Sequence, residues 1–144
     1  MNCPECGAPG PQCESRYHEC LAREFSDAGY GVVHHLTVAS YMLQHSSKLS
    51  LQGWLETRRL LRELMINKKA PAAIRMQNKN FVDDGRRKWK IASEDGGPKI
   101  NRTAWTKTIL DVRLDDAETY CRDVTAWADA ALKDSEEIAV PSFN

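Results

Sequence analysis

With 144 residues and 20 acidic against 20 basic side chains, the chain has the length for one hydrophobic core and no net charge to draw it to nucleic acid or a membrane surface. No apolar run approaches the roughly 20 residues of a membrane span, and the polar start lacks the basic-then-apolar pattern of a secretion signal. A cytoplasmic protein is therefore expected. Its 5 cysteines, an odd number, argue against a disulfide framework and for thiols that stay reduced or hold a metal.

The first element, residues 1–13, carries Cys3, Cys6 and Cys13 in the run MNCPECGAPGPQC. A C-x-x-C-G turn points two sulfurs inward, and its glycine lets amide groups approach them, so this stretch reads as part of a structural zinc knuckle. A redox C-x-x-C would follow a strand, and none precedes it here.

Residues 14–67 predict three helices. Glu14–Asp27 is the first, with Tyr17, Leu21 and Phe25 at four-residue spacing and Cys20 and Glu24 beside them. Asp27-Ala28-Gly29 breaks it, and Tyr30–His45 is the second. Ser50 is a fitting N-cap for the third, which sets Leu51, Trp54, Leu55, Leu61, Leu64 and Met65 against a charged side of Arg58, Arg59, Arg62 and Glu63. Residues 68–107 form a basic, loop-rich middle. Thr108–Val112 is a compact apolar patch, and residues 108–134 lead into a C-terminal helix. Asp115 and Glu118 fit its capping box, and Tyr120, Val124, Trp127, Ala131 and Leu132 form its buried stripe. Residues 135–144 are expected to fray as a flexible tail. The whole reads as one all-α domain over 1–134, a small helical bundle with an N-terminal zinc knuckle packed against its first two helices.

Structural zinc takes four ligands, and three cysteines leave one to find. His18, Cys20, His34 or His35, and His45 are the alternatives. Cys20 lies seven residues beyond Cys13, about 10 Å along a helix axis, too far for two sulfurs on one ion, and His18 meets a milder form of the same obstacle. If the second helix runs back along the first, its C-terminal end returns to Cys13. His45 is at that end, whereas His34 is about 16 Å away at the other. The expected set is Cys3, Cys6, Cys13 and His45.

The segments CPECGAP, Cys13 and LAREFSDAGYGVVHHLTVASYMLQH resemble an uncharacterised bacterial family, catalogued as domain of unknown function 5946, with the pattern CPGCG … CW … LAREYSDPAYxxVHQLTVDxYAVQH. The resemblance covers residues 3–45 and returns over Thr108–Ala131, where TILDV and VTAWADA look like the family's TVxDV and VRxWAxSVW. It implies that Cys3, Cys6, Cys13, His34 and His45 hold pattern positions. Cys20 stands where the pattern is aliphatic, so it reads as a small core residue, as does Cys121. Glu14, His35 and Ala39 replace the pattern's tryptophan, glutamine and aspartate, and a role needing that acid is lost here.

Beyond the knuckle, Glu24, His34 and Tyr41 are the candidates for catalytic chemistry, an acid–base or metal-binding group inside a bundle; the plainer reading is a core histidine bonded to Glu24. No phosphate loop, nucleophile elbow or zincin motif is present. Charge is segregated. Lys68, Lys69, Arg75, Lys79, Arg86, Arg87, Lys88 and Lys90 make the middle basic, while Asp111, Asp115, Asp116, Glu118, Asp123, Asp129, Asp134, Glu136 and Glu137 make the C-terminal part acidic. Arg86, Arg87, Lys88, Trp89 and Lys90 read as a binding stretch for a protein with an acidic surface, with Trp89 as the aromatic anchor. A nucleic-acid strand is the less favoured partner and a membrane is not expected. The functional expectation is a zinc-binding helical adaptor in a bacterial regulatory or defence pathway. A small metal-dependent enzyme built on His34 and a nucleic-acid-binding zinc knuckle working through 68–90 are the alternatives.

Overall fold

The structure, a computed structural model, describes residues 3–9, 12–66 and 105–137. The helices are α1 (Gln12–Ser26), the single turn α2 (Ala28–Gly31), α3 (His34–Gln44), α4 (Leu51–Met65) and α5 (Ala117–Glu136), with 3-10 turns at Ser46–Lys48 and Ile109–Asp111. Among the described residues there is no β-strand, so the fold is all-α with the knuckle at its N-terminal end. Of the basic middle only 105–107 are described, and Arg86, Arg87, Lys88, Trp89 and Lys90 lie outside the described residues.

Local signals explain most helix ends. The Ser50 side chain accepts the amide of Gly53 at 3.0 Å and starts α4 as expected. The continuous helix expected over Tyr30–His45 is instead divided. Asp27 caps the one-turn α2, and Val32 and Val33 interrupt the ladder before α3 begins. At α5 the N-cap is Asp116, which accepts from the amide of Thr119 at 2.8 Å, one residue later than the expected Asp115. A capping box does form nearby, between Thr108 and Asp111 around the 3-10 turn. The helix runs through Glu136 with Ser135 buried, past the expected boundary at 134. Two contacts from α4 hold that end: Arg58 donates to the Ser135 carbonyl at 3.1 Å, and Arg62 pairs with Glu136 at 2.9 Å.

The expected stripe of α5 is buried throughout, and it spans both halves of the core. At one end Tyr120, Val124 and Trp127 pack with Cys20, Tyr30, Ile109 and Val112. At the other, Ala128, Ala131 and Leu132 pack with Leu43, Leu49, Trp54, Leu61 and Trp105. Gln44 shows how a polar group is paired inside. Gln44, 2 % exposed, donates to the Lys107 carbonyl at 2.7 Å and accepts the Trp127 indole N–H at 3.0 Å.

α1 is rotated relative to its expected apolar stripe. Cys13, Cys20 and Glu24 face inward, and Phe25 stands 78 % exposed. The reason is Glu24, whose carboxylate is drawn into the core by donors on two other helices. His34 Nδ1 lies 2.7 Å from one of its oxygens, and the other accepts the hydroxyls of Thr37, at 2.6 Å, and Tyr120. With Glu24 inside, the next residue is turned about 100° outward.

Candidate metal centre

Residues 3–9 form the knuckle turn. The Cys3 amide donates to the Ala8 carbonyl at 2.6 Å, the Gly7 amide donates to the Cys3 carbonyl at 3.0 Å, and Gly7 takes a left-handed φ of 83° that a side chain would disfavour. This fold-back turns Cys3 and Cys6 toward α1, where Cys13 occupies the first turn. A helix N-terminus favours a thiolate there through its unpaired amides.

The fourth member arrives from α3. Three pairs of neighbours fix an antiparallel register between α1 and α3: Glu24 bonds His34 at 2.7 Å, Tyr17 stacks on Tyr41 with ring centroids 3.8 Å apart, and Cys13 approaches His45. Each pair steps back along α1 as it steps forward along α3. The sulfurs of Cys3, Cys6 and Cys13 and a ring nitrogen of His45 all lie within 4.8 Å of one another. No other group of three or more such side chains gathers among the described residues.

These residues fit a metal ion on two further observations. His45 Nδ1 donates to the Tyr41 carbonyl at 2.8 Å, which leaves the lone pair on Nε2, and Nε2 is buried with no hydrogen-bond partner. A buried, unpaired acceptor beside three sulfurs is costly unless a cation occupies the space between them. Burial also holds the His45 imidazole below its ordinary pKa, against the opposing pull of the Tyr41 carbonyl and of Glu5 and Glu14, so the ring is in the neutral form that ligates. Burial pushes the Cys6 thiol up to about 12 and raises Cys13 as well. At Cys3 burial works in the same direction, but hydrogen bonds from the backbone at Cys6 and Glu5 win and lower it. A cation would supply the stabilisation that burial denies to Cys6 and Cys13.

The knuckle is tied to the bundle by more than the cysteine–histidine cluster. The Glu5 carboxylate accepts the Ser47 amide at 2.7 Å and its hydroxyl at 3.2 Å, and the Glu5 carbonyl accepts the Trp105 indole N–H at 3.1 Å.

The other residues singled out from sequence separate. Cys20 is fully buried in the core and His18 sits on the surface 3.6 Å from Glu14, both away from the cluster. Cys121, half-buried, donates to the Gly29 carbonyl at 3.3 Å. Glu24 and His34 come together, whereas Tyr41 lies two turns further along α3, stacked between Tyr17 and His45. Thr37 and Tyr120 complete the Glu24 network and were not singled out for it from sequence. A threonine three residues after His34 carries a weak signal, and a tyrosine 96 residues from Glu24 carries none.

No helix among the described residues is long and apolar enough to cross a membrane. No curated protein and no solved structure matches the chain. A family model does match, over residues 1–136, and its description is a family of unknown function (DUF5946). With nearly its whole length matched, and with the cysteines and histidines of the pattern brought to one centre or seated along one helix pair, the chain belongs to that family.

Proposed function

We propose that the chain is a zinc-stabilised helical adaptor that acts by binding another protein, within a bacterial regulatory or defence pathway. The observation that carries the reading is the closed donor set. Cys3, Cys6, Cys13 and His45 offer three sulfurs and one imidazole nitrogen within 4.8 Å of one another, and with all four bound a four-coordinate ion would have no position left for a substrate or a reactive water. Soft sulfur with imidazole favours zinc among the common divalent ions, and zinc–sulfur bonds of about 2.3 Å set sulfurs about 3.8 Å apart, within the 4.8 Å span of the cluster. The metal then stabilises a terminus with little core of its own, and binding is left to the surface. Supporting a partner with an acidic surface is the sequence of the basic middle, above all Arg86, Arg87, Lys88, Trp89 and Lys90.

Elemental analysis of purified protein tests the metal: one zinc per chain is expected, with loss in Cys3→Ser and His45→Ala. Unchanged zinc in both variants overturns the site. Affinity capture from native lysate tests the adaptor role. A stoichiometric protein, lost when Arg87, Trp89 and Lys90 are replaced by alanine, supports it; salt-sensitive nucleic acid in its place favours the nucleic-acid alternative.

A second reading has one specific observation in its favour. His34 is bonded through Nδ1 to the buried Glu24 at 2.7 Å while its side chain stays 31 % exposed, a carboxylate–imidazole pair suited to acid–base work without a metal. Its test is turnover by the purified protein that disappears in His34→Gln at unchanged zinc content and melting temperature. Partner capture unaffected by that variant keeps the adaptor reading first.

A further inference from the structure

We infer that Tyr41 is a positioning residue for the metal centre, fixing the imidazole of His45 in the tautomer and orientation that aim Nε2 at the three sulfurs, with Tyr17 backing it. The inference rests on the metal site of the proposed function and deepens it.

The argument starts at the end of α3. His45 closes that helix with φ −126° and ψ 70°, and its amide bonds back to the Met42 carbonyl at 3.2 Å. That shortened turn leaves the Tyr41 carbonyl without its usual amide partner, one of the orphan acceptors of any helix C-terminus. His45 Nδ1 takes it at 2.8 Å. One main-chain group therefore selects the tautomer, and the metal-facing nitrogen is set by the hydrogen bond of the other.

A single hydrogen bond leaves the ring free to tilt about it. The Tyr41 ring removes that freedom, lying one helical turn before His45 on the same face with centroids 3.9 Å apart and planes 21° from parallel. Its far side is covered by Tyr17, stacked parallel with ring centroids 3.8 Å apart. Tyr17 is one turn after Cys13 on α1, as Tyr41 is one turn before His45 on α3. The two ligand-bearing positions thus sit beside an aromatic pair that sets the separation of their helices.

Zinc release to a chromogenic chelator and the visible spectrum of the cobalt(II)-substituted protein test this. Tyr41→Leu keeps the main-chain hydrogen bond and removes only the stack, so it should release zinc about 10-fold faster, the low end of the effect of losing support around a ligating histidine, and should shift the cobalt ligand-field bands. Tyr41→Phe, which keeps the stack, should behave like the wild type in both. A merely structural role would lower the melting temperature of Tyr41→Leu and leave the cobalt spectrum alone, which overturns the inference. So does a Tyr41→Phe protein as leaky as Tyr41→Leu, since the hydroxyl would then be responsible. If Tyr41→Leu does not fold, Tyr17→Leu carries the same test: faster release supports the stack, and an unchanged rate overturns it. Wild-type protein that holds no metal removes the proposed site itself, a separate failure read before any variant is made.

Discussion

The indole N–H of Trp105 donates to the backbone carbonyl of Glu5, 100 residues away in the sequence, at 3.1 Å. Glu5 lies between the paired cysteines of the knuckle, so a core tryptophan, 9 % exposed, is held by the loop that the metal would order. Removing metal with a chelator should loosen that loop and admit water to Trp105. A red shift of tryptophan emission is expected on chelation, reversed by zinc and much reduced in Trp105→Phe. An emission spectrum indifferent to chelation would show that loop and metal are uncoupled.

Glu24 concentrates the polar stakes of the core. Its side chain is 1 % exposed and serves donors on α3 and α5. Glu24→Ala orphans the Tyr120 hydroxyl and leaves the Thr37 hydroxyl only the Val33 carbonyl, 3.2 Å away, at a cost of about 3 kcal/mol. Glu24→Gln keeps the shape and one acceptor oxygen and should cost about half of that. Urea unfolding of both variants checks the order; equal costs would mean that the cavity, rather than the lost acceptors, governs the loss.

Two glycines offer a contrast in cause. A Cβ at Gly31 would stand 2.8 Å from the Glu24 backbone carbonyl oxygen, so Gly31→Ala must push α2 away from α1. At Gly7 a Cβ meets nothing within 4 Å, but the φ of 83° is strained for any L side chain. Gly7→Ala should cost about 1–2 kcal/mol through backbone conformation alone. Gly31→Ala should cost a similar amount or more through overpacking, about 1–3 kcal/mol. Thermal melts give the magnitudes, and Gly31→Ser should be no better tolerated than Gly31→Ala.

Acid should weaken the α5 end by a defined route. The hydrogen bond and charge of Arg113 hold the Asp123 carboxyl below the usual carboxylate range, and hydrogen bonds from the Thr119 amide and hydroxyl do the same for Asp116. A carboxyl with a depressed folded-state pKa contributes stability above its unfolded value, near 4, and loses it as pH falls through the folded value. Stability should therefore decline below about pH 4, and Asp123→Asn should flatten part of that decline while lowering stability at neutral pH. Parallel curves for variant and wild type from pH 7 to pH 2 would remove Asp123 from the account.

The cluster of Cys3, Cys6, Cys13 and His45 was legible because its logic is local plus one turn of geometry. C-x-x-C-G announces a half-site, Cys13 opens a helix, and an antiparallel return brings His45 to it. The α5 stripe was legible from its spacing alone. What escaped depends on partners far along the chain. Nothing near Glu24 tells that Tyr120 will meet it, and without that contact Phe25 looked like a core residue when it is a surface one. Asp115 and Asp116 are chemically equal as caps. The choice between them falls to the way Arg113 and Leu114 leave the 3-10 turn, where Arg113 is caught by Asp123 and the Leu114 carbonyl by the Tyr30 hydroxyl.

The antiparallel register of α1 and α3 also governs which lengths the connection between them can have. Dropping one residue from the Asp27–Val33 link would turn α3 by about 100° and slide it about 1.5 Å. His34 would swing away from Glu24, Tyr41 from Tyr17 and His45 from the sulfurs, all in a single event. A shortened or lengthened link therefore cannot be absorbed by adjusting one contact, and this short, partly helical corner behaves as a measured spacer.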